Sequence, residues 1–228
     1  ALLLSRISDN GGDLSNTLVN FAIQKAEDGK STNIEHDLEK FTQNLFKEGI
    51  SRYTDGKILT VKECMKVKSN LESSRIRIRN EVEKLADDVC DYFNINGLTS
   101  DHFLRGTYYK HFTNNVGCSD DAKWNPSDSL KRNIKNNEWY SKSKSDTVKQ
   151  LVEDCKSDLE QFYNNLIDLL ADYNSVKAIL KNIYSIAILN ELIAEVRAFK
   201  KENNIEQISE FNKKIHKVVT NQPSSFIY

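Results

Sequence analysis

Basic side chains interleaved with aromatic ones carry most of the chemical potential of this chain. Lys131, Arg132, Lys135, Lys142, Lys144 and Lys149 surround Trp124, Trp139 and Tyr140, while Arg75, Arg77 and Arg79 alternate along a helical stretch with Lys84 near them. Ammonium and guanidinium groups neutralise phosphate, and aromatic faces stack on unpaired bases, so this pattern suits contact with DNA. A plainer reading stands beside it: the arginines coat a solvated helix face, and the tryptophans pin a long loop onto a helical core.

Other reactive patterns fail on spacing. Gly29-Lys30-Ser31 has the ending of a phosphate-binding loop, but the first glycine of that motif would fall at Gln24, and a helix rather than a strand precedes it. It reads as a turn. Carboxylate-bridged metal sites in helical bundles need Glu three positions before His, and none of His36, His102, His111 or His216 has it. Asp87-Asp88 and Asp120-Asp121 read as solvated faces. Cys64, Cys90, Cys118 and Cys155 form neither a C-x-x-C pair nor a zinc spacing. No serine or cysteine sits in a nucleophile elbow. The expectation is that these residues hold no catalytic group, no metal and no cofactor.

The elements that must position the basic residues are helices. Only eight glycines and two prolines punctuate 228 residues, and Leu, Lys, Glu and Ala are plentiful, which predicts an all-α protein. A formal net charge of −1 removes bulk charge as a nucleic-acid signal and leaves only local patches. Isolated cysteines on helical stripes read as reduced thiols, pointing to the cytoplasm. No apolar run reaches the roughly eighteen residues of a membrane span, and Leu2 to Leu4 is too short for a signal peptide, so no membrane partner is expected.

Along the chain, the spacing predicts helices over 13–27 and 35–47. Thr60 with Glu63 forms a capping box opening a long helix to about Asn96, stopped by Gly97. Leu71, Ile78, Val82, Leu85, Val89 and Tyr92 give it a coiled-coil-like seam. Ser100 or Asp101 caps a helix to about Phe112, and 114–144 is the main irregular segment. A second long stripe follows from Val148 through Val152, Cys155, Leu159, Phe162, Leu166 and Leu169 to Tyr173, and it should pair with the first. Residues 176–199 carry apolar side chains on more than one face and predict a further helix buried on several sides. The resulting picture is an elongated antiparallel bundle over 60–173, between flanking helices at 1–59 and a return segment at 174–228.

Both ends carry a further signal. The chain opens on Ala1-Leu2-Leu3-Leu4 and closes on Phe226-Ile227-Tyr228, which predicts a piece of a longer protein. Ile208-Ser209 and Asn212, the amphipathic helix after them, Pro223 and Phe226-Ile227-Tyr228 resemble a stretch of bacterial UvrD/Rep-like and RecB/AddA-like superfamily 1 DNA helicases, just upstream of their Walker B strand. Leu14 to Ala26 and Ile34 to Leu45, around Lys30-Ser31 and Asp37-Leu38, resemble the region after the early helicase motifs of that group. The resemblance covers about a third of the chain. It implies an excised helical insertion, subdomain 1B, with flanking helices of a truncated RecA-like domain. It also implies a bacterial, cytoplasmic parent that binds ATP and magnesium, translocates on single-stranded or forked DNA and serves DNA repair or recombination. The phosphate loop, Walker B strand and arginine finger of the family lie outside these residues, so the piece alone should neither hydrolyse ATP nor unwind DNA. Its partners would be DNA and the rest of the motor. The alternative is a self-contained coiled-coil-like interaction module without a nucleic-acid partner.

Overall fold

The computed structural model describes residues 12–45, 58–205, 211, 215, 216 and 218–220. The expectations for Ala1 to Leu4 and Phe226 to Tyr228 lie outside the described residues. Every regular element described is helical: α1 (Asp13–Glu27), α2 (Ile34–Leu45), α3 (Val61–Ile95), α4 (Thr107–Asn114), α5 (Asp128–Lys135) and α6 (Asp146–Glu202), with short 3-10 turns between α3 and α5. The protein is all-α. It divides into two compact units: residues 70–180 form one, and 1–69 with 181–228 form the other. Helices α3 and α6 contribute to both.

Local signals set the ends of these helices. Thr60 N–H donates to Glu63 Oε2 at 2.8 Å and Glu63 N–H to Thr60 Oγ1 at 3.2 Å, the reciprocal cap that opens α3. At its far end Gly97 takes φ +64°, which lets Leu98 N–H reach Phe93 C=O at 2.8 Å. The same stop ends α1. Gly29 is at φ +67° and Lys30 N–H donates to Lys25 C=O at 2.8 Å, so Gly29-Lys30-Ser31 is a helix terminus.

In the 70–180 unit, α3 and α6 pack antiparallel. Tyr92 meets Asp158 and Phe162, Leu85 and Asp88 line a groove with Asn165 and Leu169, and Arg79 and Tyr173 flank Trp124. The core between them is Ile78, Val82, Leu85, Val89 and Phe93 from α3 with Val152, Cys155, Leu159, Leu166, Leu170 and Tyr173 from α6. The two long stripes read from spacing are therefore the two halves of one core. Residues 98–140 cover one face of this pair as a third layer, contributing Phe103, Tyr108, Phe112, Trp124, Leu130 and Trp139.

Three segments differ from expectation. The helix expected from Ser100 to Phe112 is two 3-10 turns and then α4, because Arg105 and Gly106 sit at φ +54° and +66°, which no continuous helix permits. The irregular 114–144 segment contains α5, capped by Ser127, whose Oγ accepts from Leu130 N–H at 3.3 Å. The two C-terminal stripes belong to one 57-residue helix, since neither glycine nor proline interrupts 146–202. Within 176–199, burial on more than one side is confined to the middle: Ile183, Ala187, Ile188, Leu192 and Ile193 are buried, while Ile179 and Phe199 are 43% and 48% exposed.

Among the described residues, the other unit has a smaller core cluster, with Leu18 and Phe21 of α1, Leu38 of α2, and Ile188 and Leu192 of α6. Lys25 pairs with Asp37, and Lys181 lies 3.8 Å from Asp28. Asn190 Nδ2 donates to Leu59 C=O at 3.2 Å beside the buried Cys64, whose thiol burial pushes up.

Candidate nucleic-acid interface

The basic residues belong to the third layer of the 70–180 unit and to the long helices beneath it. Amphipathicity turns them outward. On α5, Leu130 and Asn133 are buried while Lys131, Arg132 and Lys135 are not part of that buried face. Asn133 Nδ2 donates to Thr107 Oγ1 at 3.2 Å, and Leu104 N–H to Trp139 C=O at 2.7 Å, which lays the start of α4 against the end of α5 and the turn after it. This brings in Arg105 and Lys110, both exposed, which the sequence pattern did not single out. They lie more than twenty residues from the lysine-rich run, and only the fold of the layer places them beside it.

Charge is unevenly spread over this layer and the turn that follows it. Residues 98–140 hold six basic side chains (Arg105, Lys110, Lys123, Lys131, Arg132, Lys135) against five acidic ones (Asp101, Asp120, Asp121, Asp128, Glu138), and the positive excess lies over 131–144, where Lys131, Arg132, Lys135, Lys142 and Lys144 stand against Glu138 alone. Lys123 and Lys131 pair with Asp120 and Asp128 at 3.5 and 3.8 Å. Arg105, Lys110, Arg132, Lys135, Lys142 and Lys144 carry no ion pair among the described residues. Lys149, at the start of α6, is held by Asp146 at 3.0 Å.

The arginines of α3 are placed differently. Arg77 and Arg79 reach the carboxylates one turn on, Glu81 at 2.8 Å and Glu83 at 3.0 Å. The Arg79 guanidinium also lies 5.4 Å from the ring centroid of Trp124. Arg75 is exposed. Lys84 lines an open groove of about 390 Å³ between α3 and α6, together with Glu81, Leu85 and Asp88 on one side and Asn165, Asp168 and Leu169 on the other.

The tryptophans are core residues. Trp124 is 0% exposed and Trp139 4%. Indole N–H groups are buried only with an acceptor, and each has one: Trp124 Nε1 donates to Cys118 C=O at 2.9 Å and Trp139 Nε1 to Asn137 Oδ1 at 3.1 Å. Tyr140 donates its hydroxyl to Glu153 Oε1 at 2.8 Å, and Tyr109 stacks on Phe93 with centroids 4.9 Å apart. Base stacking on Trp124 and Trp139 is therefore ruled out by their burial.

Trp124 is the point where the layer is fastened. It packs on Tyr173, centroids 5.0 Å apart, and its backbone holds His111 by a hydrogen bond. Asp121, at the start of the same turn, accepts from Tyr173 Oη at 2.8 Å and from Lys177 Nζ at 2.8 and 2.9 Å. The hydrogen bond from Lys177 holds the Asp121 carboxyl below its ordinary range. Burial pulls His111 down to about 4, and its Nε2 has no hydrogen-bond partner. All four cysteines are free, and among the described residues no group of three or more His, Cys, Asp and Glu side chains could hold a metal ion. No helix described is long and apolar enough to cross a membrane. Comparison with known protein families, with curated proteins and with solved structures finds no match.

Proposed function

We propose that this chain is the helical accessory part of a superfamily 1 DNA helicase, and that it guides DNA through phosphate contacts on the layer that covers one face of the α3–α6 pair. The observation that carries DNA guidance is the group of basic side chains without ion pairs among the described residues, centred on Arg132, Lys135 and Lys142 and extended by Arg105 and Lys110. The helicase assignment rests on the resemblance of the sequence around Leu14 to Leu45 and Ile208 to Tyr228 to that family. In such a parent, ATP and magnesium bind the motor outside these residues, and this chain contributes no hydrolytic group.

Titration with single-stranded and forked DNA tests the reading. Contact with about four phosphates gives a log K that falls with log salt at a slope near −3.6 on duplex and about −2.8 on a single strand, so affinity drops about fifty- to a hundredfold between about 50 and 200 mM salt. Replacing Arg132, Lys135 and Lys142 by Ala should lower the magnitude of the slope by about 0.9 for each phosphate no longer neutralised. A flat titration at low salt overturns the reading. The exposed apolar side chains Val19 and Ile23 of α1 and Phe199 of α6 favour a second reading, a helical protein-interaction module, which predicts that flat titration together with concentration-dependent self-association or partner binding.

A further inference from the structure

The layer covers only one face of the α3–α6 pair, and the groove on the other is acidic. Residues 81–91 of α3 and 153–172 of α6 together hold eleven acidic side chains and only two basic ones, Lys84 and Lys156; of the acidic ones Glu83 and Glu153 lie against the layer, at Gly117 and Tyr140, whereas Glu81, Asp88 and Asp168 line the groove. Antiparallel packing sets these two stretches side by side. On α3, the core residues Leu85, Val89 and Phe93 lie on the side facing α6 and the layer, so a 3.6-residue period turns Asp87 and Asp91 away from them. Asp168 and Asp172 of α6 are turned outward by the same period, and Asp88 and Asp168 line the open groove. Lys156 is already held by Glu153 at 3.7 Å, and Lys84 is the one cation among the residues lining the groove.

A phosphate backbone approaching this unit therefore meets attraction on one face and repulsion on the other. We infer that the 70–180 unit takes DNA in a single orientation, with the phosphates on the α4–α5 layer and the acidic α3–α6 groove turned away from the strand. The inference rests on the proposed DNA contact and adds its direction. Exposed charges act over about 10 Å at 0.1 M salt and about 30 Å at 0.01 M, so the acidic face is felt across the thickness of a helix pair at low ionic strength and fades as salt rises. The acidic groove thus serves as the excluding wall of a guide whose attracting wall is the layer.

The test uses the full chain and a forked DNA oligonucleotide at about 20 mM salt, where screening is weak, with a benzophenone amino acid in place of Asn136 beside α5 or of Asn165 in the groove. Both positions are exposed and uncharged, so the probe leaves the charge of each face unaltered. Cross-linking at position 136 should exceed that at 165 by about tenfold or more, and equal yields overturn the inference. The triple variant D87N/D88N/D168N, its fold checked by helical signal and melting temperature, should bind the fork roughly three- to tenfold more tightly at about 20 mM salt. It should also gain cross-linking at position 165, with both effects lost at about 200 mM. An unchanged affinity and cross-linking pattern in that variant overturns repulsion as the cause of the orientation while leaving DNA contact intact. Absence of binding by the unsubstituted chain at the lower salt overturns the proposed function, and this inference with it.

Discussion

His111 shows what burial of a titratable group does to this fold. The imidazole is held through the Trp124 backbone and leaves Nε2 unpartnered, so protonation would place an uncompensated charge inside the layer. With a folded value of about 4 against 6.5 in the unfolded chain, the folded state binds fewer protons. Stability is therefore full above pH 6.5 and falls as pH drops from 6.5 toward about 4. We predict that urea denaturation will register a loss of about 2 kcal/mol between about pH 7 and pH 5, and that H111Q will abolish most of that dependence. A wild-type denaturation midpoint that stays flat across this range would contradict the assignment. At this scale the sequence was partly legible. Glu81 and Glu83 stand four residues after Arg77 and Arg79, which is the spacing of the ion pairs that occupy those arginines. Burial of Trp124 and Trp139 was one of two readings the sequence left open, and spacing did not choose between them, because Cys118 and Asn137 supply the acceptors inside turns that leave no periodic trace.

Among the elements, the breaks matter as much as the helices. Gly97 and Gly106 sit at φ +64° and +66°, yet their surroundings differ: a methyl group at Gly97 meets open space, whereas at Gly106 it meets the Ser100 side chain and, at 3.2 Å, the Ser100 carbonyl oxygen. The left-handed backbone alone disfavours alanine by about 1–2 kcal/mol. Calorimetric melting should thus show a loss of that size for G97A and a clearly larger one for G106A; equal losses would mean that the turn relaxes freely. Continuity of α6 gives a second test. Asn174 lies where the two C-terminal stripes meet and is exposed within unbroken helix, so N174P removes a backbone hydrogen bond there and should destabilise by about 3 kcal/mol, read as a fall in thermal midpoint. A neutral result would indicate a natural break at that point. The long stripes were legible because an apolar period of about 3.5 sustained over many turns is the signature of helices paired along a seam. Helix α5 was hidden by its eight-residue length, although Pro126-Ser127 followed by Leu130 and Ile134 is a capped amphipathic turn.

Across the whole molecule, unequal cores should set the order in which structure opens. Among the described residues, the 70–180 unit gathers Phe93, Phe103, Tyr108, Phe112, Trp124 and Trp139 with both long stripes, whereas the other unit buries Leu18, Phe21, Leu38, Val61, Cys64, Ile183, Ala187, Ile188, Leu192 and Ile193, with Phe21 the one aromatic ring among them. Each fully buried side chain of this size contributes about 1.5–3 kcal/mol relative to exposure, so the smaller core opens at lower free energy. Because α3 and α6 contribute to both units, a gradient of protection is expected within a single helix. Amide exchange should be slowest over 152–173 of α6 and faster over 185–200, although the helix is unbroken between them. F21A should accelerate exchange in α1, α2 and 185–200 while leaving 82–93 of α3 unchanged, since Phe21 belongs to the smaller core alone. Native-state hydrogen exchange followed by mass spectrometry decides it, and uniform protection along α6, or equal acceleration of 82–93 in F21A, would show that the two cores open as one. Independent opening would let the 70–180 unit keep its charged faces in register while the smaller core yields, which is the mechanical condition that the proposed DNA contact in one orientation requires.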